Sequence, residues 1–247
     1  MTDAELAELL AKNAGDILLG IRRNTPLSPQ TLGKLGDELS NSYLMKTLEE
    51  VRPDDAVLSE ESADDLGRLN NSRVWIVDPL DGTREFTEHR SDWAVHVALC
   101  IDGQPRIGAV ALPAVGQTLC SASVEARPPI QSQFKIAISR SRPPDFVSHV
   151  ADTLGAELAP MGSAGAKAMA VVNGDVQAYI HAGGQYEWDS AAPVAVALAA
   201  GLHASRLDGS PLTYNHANTL LPDLVICRSE LAEMILAEIQ RQIGEIG

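Results

Sequence analysis

Two aspartates three residues apart, Asp78 and Asp81, have the types and spacing best suited to chemistry. They follow a β-branched run and are separated by a proline, which fixes φ near about −65°, and followed by a glycine, which permits an unusual φ. A sharp turn there aims both carboxylates at one point, frees the Leu80 carbonyl and points the amides of Gly82 and Thr83 outward. Clustered oxygens suit Mg²⁺, while amides and a hydroxyl suit a phosphate. The alternative is an ordinary Asp-Pro turn with a solvated Asp-Gly.

Further acidic residues extend the possible cluster, although each has a simpler explanation. Glu60 and Glu61 follow a predicted buried strand, so that one of them can point inward, whereas an exposed acidic loop explains the pair without function. Asp37 is expected at the start of a helix, where a cap or a helix-dipole partner is the plainer interpretation. Asp189 opens an apolar helix, and an N-cap aspartate accounts for it fully. None of these residues decides the function alone.

Two segments offer contacts to an anion. Gly162 and Ser163 open a predicted small-residue helix, whose free N–H groups and dipole favour a phosphate, and Lys167 adds charge. The segment is not a P-loop because the spacing to the lysine is wrong, and close helix packing explains it equally well. A second segment ends a predicted strand with hydroxyls and guanidiniums, against the alternative of a solvated basic loop: Ser139, Arg140, Ser141 and Arg142.

The elements that position these residues are read from periodicity. Leucines and isoleucines at helical spacing predict a first helix capped by Thr2 and ending near Asn24, and a second over about 37–51. Further helices are predicted over 144–154, 163–172 and 189–200, and from 229 onward. Short apolar runs predict strands over 56–58, 73–77, 93–101, 107–112, 117–123, 134–139, 176–180, 203–207 and 224–228. His96 is expected as a satisfied sheet residue rather than a metal ligand. This order predicts a layered α/β sandwich.

Composition limits the class of protein. The chain has 247 residues and a formal net charge of −14, which argues against a nucleic-acid polymer as partner but not against a small phosphorylated substrate, since metal ions invert local charge. We place a boundary at Pro128, giving an N-terminal α+β part over 1–128 with most metal ligands and a C-terminal α/β part over 129–247. No apolar run approaches the ~18–20 residues that span a bilayer. With no signal-peptide pattern and three scattered cysteines, we expect a cytoplasmic protein without a membrane partner.

Together these segments resemble the lithium-sensitive, magnesium-dependent phosphatase family of inositol monophosphatases, fructose-1,6-bisphosphatases and bisphosphate nucleotidases. The resemblance rests on Val77–Thr83, on Leu58–Ser62 upstream and on Glu187–Ala192 downstream, and it covers the chain from about residue 37 to 215. Details of the bisphosphate nucleotidase (CysQ-like) branch are present in three places: Ser139-Arg140-Ser141, Gly162-Ser163 with Lys167, and Glu187-Trp188-Asp189 with Pro211-Leu212-Thr213-Tyr214-Asn215. One motif departs, because Lys34 occupies the position of the family threonine three residues before Asp37. The departure concerns water activation rather than the metal cluster.

The resemblance implies a layered α-β-α-β-α sandwich and a site with two or three Mg²⁺ ions that Li⁺ inhibits. By motif position, the metal ligands are Glu60, Asp78, the Leu80 carbonyl, Asp81 and Asp189. The catalytic residues are Asp37 and Thr83, which orient or deprotonate the attacking water, together with Glu60. The substrate contacts are Asp81, Gly82, Thr83, Ser139, Arg140, Gly162, Ser163, Lys167 and Asp189. Two metals can generate the nucleophile and stabilise the leaving oxygen of an in-line displacement.

The resemblance therefore predicts hydrolysis of the 3′-phosphate of 3′-phosphoadenosine 5′-phosphate to AMP in sulfate assimilation, with the phosphosulfate analogue as a further candidate substrate. The alternatives are inositol 1-monophosphatase or fructose-1,6-bisphosphatase activity, and, from another class, a non-catalytic regulator, against which the complete carboxylate set argues. A homodimer is also implied. The second phosphate needs a cation, for which Arg140, Arg142 and Lys167 are the candidates. We expect Lys167→Ala and Arg140→Ala each to weaken bisphosphate use more than inositol monophosphate use.

Overall fold

The structure is a computed structural model that describes residues 1–64, 66–126, 128 and 133–246. The helices are α1 (Asp3–Asn24), α2 (Pro29–Val51), α3 (Thr83–Thr87), α4 (Phe146–Leu154), α5 (Ala164–Asn173), α6 (Glu187–Ala199) and α7 (Ala232–Ile246). The strands are β1 (Ala56–Ser59), β2 (Arg73–Asp81), β3 (Ala94–Ile101), β4 (Gln104–Leu112), β5 (Gln117–Cys120), β6 (Lys135–Ser139), β7 (Glu157–Met161), β8 (Ala178–Tyr186), β9 (His203–Ser205) and β10 (Leu220–Cys227).

The strands form two five-stranded sheets, ordered β1-β2-β3-β4-β5 and β7-β6-β8-β10-β9. In the first sheet β1 and β2 are parallel, and the remaining pairs are antiparallel. In the second sheet β6 is parallel to both β7 and β8, and β10 is antiparallel to β8 and β9. The predicted antiparallel section followed by alternating helices and strands is confirmed.

Three hydrophobic clusters set the order of the layers. Helices α1 and α2 pack on one face of the first sheet, in a cluster that contains Leu10 and Trp75. Helices α5 and α6 lie between the two sheets, where Ile76 from one sheet and Ile226 from the other share a cluster. Helices α4 and α7 cover the outer face of the second sheet around Ile180. The predicted α-β-α-β-α sandwich is therefore confirmed.

The second helix begins earlier than its pattern predicted. It starts at Pro29 after the N-cap Ser28, so Asp37 lies inside the helix and neither caps it nor meets its dipole. Gly33 and Gly36 suggested a break, yet both lie within the helix because α2 packs closely on its neighbours. A Cβ at Gly33 would lie 2.9 Å from the Thr83 Cγ2, and one at Gly36 would lie 3.1 Å from Leu80. The glycines thus bring α2 against the turn after β2.

Strand β2 is longer than predicted and irregular at its end. It continues to Asp81, and its pairing with β3 shifts register between Asp78 and Asp81. A register shift is where a strand tolerates proline, and Pro79 lies within it. Strand β7 was not predicted because its sequence Glu-Leu-Ala-Pro-Met contains no β-branched residue, and β8 runs on to Tyr186 through two glycines. Helix α6 begins at Glu187, so Asp189 lies in its first turn and is not its N-cap.

Several other expectations have definite outcomes. The Asp102-Gly103 hairpin is confirmed, with φ of +50° and +72° at the two turn residues. The three cysteines are buried and free, as predicted. Among the described residues, no helix is long and apolar enough to cross a membrane. The predicted boundary after Pro128 lies beside residues outside the described ranges and stays a prediction.

Candidate active site

Three aspartates meet at the end of β2. Asp78 and Asp81 are brought together by the register shift, and Asp189 joins them from the first turn of α6. One carboxylate oxygen from each lies within 4.8 Å of those of the other two. Asp78 and Asp81 are buried, and Asp189 is half-buried. Although Asp189 is far from the two other aspartates in sequence, α6 of the middle helical layer brings it next to them.

Glu60 reaches this cluster from the neighbouring strand. Because β1 and β2 are parallel, with Ser59 opposite Val77, the residue after β1 emerges at the same sheet edge as the aspartates. The carboxyls of Glu60 and Asp78 lie within hydrogen-bond reach of each other. Burial, followed by the negative charge of Asp189, raises the pKa of Glu60 to about 7. Its side chain is the most exposed of the four and leads from the cluster to solvent.

The pKa values of the four carboxyls are shifted in different directions. Burial and the charge of Glu60 raise the pKa of Asp78 well above its usual value, and burial and Asp81 raise that of Asp189 to about 6. Burial would also raise the pKa of Asp81, but the neighbouring His96 reverses this effect and lowers it. Buried hard oxygens that repel one another fit a divalent cation such as Mg²⁺, which would relieve that repulsion. The donor set therefore fits the metal that the sequence indicated.

His96 is the residue whose importance sequence reasoning missed. It lies on β3 opposite Asp78, as a sheet residue should, but its Nε2 is 3.1 Å from the Asp81 carboxylate. Its Nδ1 donates to the Trp188 carbonyl at 3.0 Å. A Cβ at Gly165 would collide with the imidazole, so the glycine of α5 makes room for it. The available signal was a polar side chain inside an otherwise apolar strand, directly across from the first aspartate.

Asp37 on α2 and Thr83 at the start of α3 lie close together after the end of β2. The Thr83 hydroxyl donates to the Leu80 carbonyl at 3.2 Å and is 3.5 Å from the Asp37 carboxylate. Burial, with the charge of Glu61, raises the pKa of Asp37 to about 7. Lys34 points to solvent and pairs with Glu38 at 3.7 Å, so the departure from the family threonine adds no cation to the site.

A pocket of about 320 Å³ opens beside the aspartates. All nine residues predicted as substrate contacts line it: Asp81, Gly82, Thr83, Ser139, Arg140, Gly162, Ser163, Lys167 and Asp189. Residues that the sequence did not single out as contacts also line it, among them Glu85 and His181. The polar segments recognised in the sequence thus converge on one cavity.

The start of α5 differs from the expected phosphate cradle. Its amides are already engaged, because Ala164 and Gly165 donate to the Asp81 carboxylate at 3.2 and 2.7 Å. Ser163 caps the helix by accepting from the Ala166 amide. The Lys167 ammonium is buried and donates to the carbonyls of Gly162 and Ser163. The helix start therefore orients a cluster aspartate, and the predicted hydrogen bonds from its amides to a phosphate would lack free donors.

The sequence profile of the inositol monophosphatase family matches residues 3–244, nearly the whole chain. The chain belongs to the inositol monophosphatase family. Its sequence relatives place it in the bisphosphate nucleotidase (CysQ-like) branch of that family, in agreement with the resemblance that the motifs carry.

Two relatives illustrate the branch. The chain is 51 % identical to the 3′-phosphoadenosine 5′-phosphate phosphatase of Mycobacterium leprae, over 97 % of this chain and 94 % of that protein. It is 31 % identical to the 3′(2′),5′-bisphosphate nucleotidase CysQ of Escherichia coli K12, over 86 % of this chain and 94 % of that protein.

Solved structures of the inositol monophosphatase family share the fold. CysQ from Bacteroides thetaiotaomicron superposes with a TM-score of 0.76 at 25 % identity, covering 91 % of this chain and 96 % of that one. An inositol monophosphatase from Thermotoga maritima covers 100 % of both chains with a TM-score of 0.78 at 19 % identity. At that low identity the second likeness concerns the fold alone.

Proposed function

We propose that this chain is a Mg²⁺-dependent phosphatase that removes the 3′-phosphate of 3′-phosphoadenosine 5′-phosphate to give AMP. The observation that carries the proposal is a buried carboxylate cluster that opens into a pocket lined by arginine and lysine side chains. Beside this carboxylate cluster, a phosphate ester needs a divalent cation in order to bind, and a substrate with two phosphates needs further positive charge. The names of the relatives that share about half of the sequence support the same substrate.

The residues that would hold the metal ions are the cluster members. Asp78, Asp81 and Asp189 would supply the inner oxygens, with the Leu80 carbonyl from the end of β2 and Glu60 from the loop after β1 as further ligands. Bound Mg²⁺ would supply positive charge to the phosphate and to the attacking water. Without a cation, four carboxyls would repel a phosphate dianion, so we expect activity to depend strictly on the metal.

Asp37 would accept the proton of the attacking water. Its carboxyl lies beside the Thr83 hydroxyl, whose oxygen can accept from a water while its hydrogen bonds to Leu80 or Asp37. A general base works best when its pKa lies near the working pH, and the pKa of Asp37, raised to about 7 by burial, meets that condition. Asp37 and Thr83 thus orient and deprotonate the water, and no covalent phosphoenzyme is required.

We further propose the properties that the family resemblance implies. They comprise two or three Mg²⁺ ions in each site, inhibition by Li⁺, a homodimer, and a cytoplasmic role in sulfate assimilation. Titration of bound Mg²⁺ by calorimetry gives the number of ions, and light scattering gives the oligomeric state. Inhibition is expected at millimolar Li⁺ when Mg²⁺ is limiting, and full activity under those conditions would contradict this part.

The substrate is tested by comparing kcat/KM for 3′-phosphoadenosine 5′-phosphate, inositol 1-phosphate and fructose 1,6-bisphosphate, with Mg²⁺ and with EDTA. We expect the nucleotide to be hydrolysed fastest and EDTA to abolish all three activities. Faster hydrolysis of inositol 1-phosphate would contradict the proposed substrate but not the proposed metal-dependent phosphatase chemistry. A folded protein that hydrolyses none of them with Mg²⁺ would refute the enzyme proposal.

A further inference from the structure

Four cationic side chains line the pocket, and three of them already have partners. Arg140 donates to the carboxylates of Glu85 and Glu88 at 2.6 and 2.9 Å. Arg84 pairs with Glu88 at 2.9 Å. Lys167 is buried, and its ammonium donates to backbone carbonyls at the start of α5. The charges of Arg140 and Arg84 are thus already paired with carboxylates, and the Lys167 ammonium is already hydrogen-bonded.

Arg142 differs from the other three. No carboxylate among the described residues lies within ion-pair distance of its guanidinium, and its side chain is exposed to the pocket. A Cβ at Gly184 would lie 3.4 Å from its Nη1, and this glycine has a φ of +74°, so the guanidinium rests against bare backbone of β8. Arg142 lines the pocket together with His181 and Gly184 of β8, so its guanidinium lies on the pocket side of that strand.

Ser139 adds a donor next to this guanidinium. Its Oγ accepts from the backbone amide of Arg142 at 3.2 Å, which leaves the hydroxyl hydrogen available to an anion. A guanidinium with a neighbouring hydroxyl matches the oxygens of a phosphate, and arginine binds such oxygens in pairs. In a chain of net charge −14, a second phosphate far from the metal ions needs a cation that is not already neutralised.

Resting on the proposed function, we propose that Arg142 and the Ser139 hydroxyl form the subsite for the second, 5′-phosphate of the substrate. Arg140 and Lys167, the side chains favoured by the sequence, then act as positioning residues. Arg140 anchors α3 to the end of β6, and Lys167 fixes the turn before α5. Loss of either should weaken hydrolysis of bisphosphates and monophosphates alike, contrary to the differential effect expected from the sequence.

Kinetics with two substrates test the assignment. We expect Arg142→Gln to lower the ratio of kcat/KM for adenosine 3′,5′-bisphosphate to that for adenosine 3′-monophosphate by about 10- to 100-fold, mainly through KM. Arg106→Gln, at an exposed arginine of β4 outside the pocket, makes the same charge change and should keep the wild-type ratio. Arg140→Gln should lower both values without changing the ratio. A wild-type ratio in Arg142→Gln, or a ratio lost in Arg140→Gln instead, would overturn the proposal.

A binding measurement separates the subsite from the proposed function. Adenosine 5′-monophosphate carries only the second phosphate, so calorimetry in EDTA should show that it binds wild-type protein more tightly than adenosine does. The ratio of the Kd for adenosine to the Kd for adenosine 5′-monophosphate should fall about tenfold or more in Arg142→Gln. If the wild type does not hydrolyse the bisphosphate, the proposed function fails, but the binding of adenosine 5′-monophosphate still tests the subsite. Equal affinities of the wild type and Arg142→Gln for this monophosphate would overturn the subsite proposal.

Discussion

Asp78 and Asp81 are three residues apart and nevertheless have opposite electrostatic environments. Asp78 accepts the Leu80 amide at 3.0 Å, and its Oδ2 lies 4.0 Å from the His96 Nδ1, but burial and the charges of the other three carboxyls outweigh both and raise its pKa. Asp81 accepts two amides of α5 and contacts the His96 imidazole. Asp81 is therefore kept ionised by the protein itself, whereas the charge on Asp78 needs a cation to stabilise it.

The two asparagine variants should separate stability from activity. Asp78→Asn removes an unfavourable buried charge, so in EDTA we expect the free energy of unfolding to rise by about 1 kcal/mol. Asp81→Asn removes an acceptor from two amides and should lower it by about 1–3 kcal/mol. Both variants should lose more than tenfold in kcat because each removes a proposed metal ligand. Urea unfolding and steady-state rates check this, and a fully active Asp81→Asn would exclude a ligand role.

We expect His181 to make the free energy of unfolding depend on pH. Burial first, with help from the charges of Lys167 and Arg142, lowers its pKa to about 4, and its Nε2 donates to the Gly183 carbonyl at 2.8 Å. The unfolded chain binds this proton near pH ~6.5, so the native state loses stability as the pH falls from there toward the folded pKa. The stability that His181 contributes is fully present above the pKa it has in the unfolded chain.

We therefore expect the free energy of unfolding to fall between pH 7.5 and pH 4.5 by about 2 kcal/mol more in the wild type than in His181→Asn. Urea unfolding at the two values measures the difference. His149→Asn, at an exposed histidine of α4, is the matched control and should keep the wild-type pH dependence. The interpretation is wrong if His181→Asn and the wild type respond equally to acid.

At the scale of elements, helix α2 links Asp37, the proposed general base, to the loop that carries Glu60. Asn41 lies one turn after Asp37, and its Oδ1 accepts from the Ser59 hydroxyl at 2.7 Å. Its Nδ2 donates to the Ser62 hydroxyl at 3.1 Å. The residues on both sides of Glu60 are thereby tied to the helix that carries Asp37. One amide side chain aligns two parts of the site.

Asn41→Ala should loosen that alignment without touching a ligand. We expect the Mg²⁺ concentration for half-maximal activity to rise about three- to tenfold, because Glu60 is less well held for the metal. Asn24→Ala, at the exposed end of α1, is the control. A Mg²⁺ dependence unchanged from the wild type, in a variant whose folding is intact, would show that the loop is held by other contacts.

The local sequence predicted most of the elements but not every boundary. Strands β2 and β3 are specified by their apolar, β-branched runs and helix α1 by its helical periodicity, and Thr2 caps α1 as predicted. The predicted start of α2 was wrong because Gly33 and Gly36 are glycines that allow close packing on other elements, not a helix break. Local sequence patterns do not contain that information. The candidate carboxylate cluster could be assembled from sequence motifs, whereas the contact of His96 with Asp81 and the ion pairs of Arg140 depend on the tertiary structure.

At the scale of the whole molecule, the candidate metal site joins two layers of the sandwich. Asp78 and Asp81 belong to the first sheet, and Asp189 belongs to α6, which packs between the sheets. Without a cation the three carboxylates repel one another across that junction. With one bound, the same groups draw the layers together. The stability of the whole fold should therefore depend on the metal.

We expect 5 mM Mg²⁺ to raise the Tm of EDTA-treated protein, since a ligand at a hundred times its Kd stabilises the native state by about 2.7 kcal/mol. At about 2–4 °C per kcal/mol for a chain of this size, that corresponds to a rise of roughly 5–10 °C. NaCl of equal ionic strength should give a much smaller rise, because screening of the net charge of −14 does not need the cluster. Asp189→Asn should lose most of the Mg²⁺ effect, while Asp152→Asn, at an exposed residue of α4, should keep it. A shift that persists in Asp189→Asn would place the stabilising metal outside the junction between the first sheet and α6.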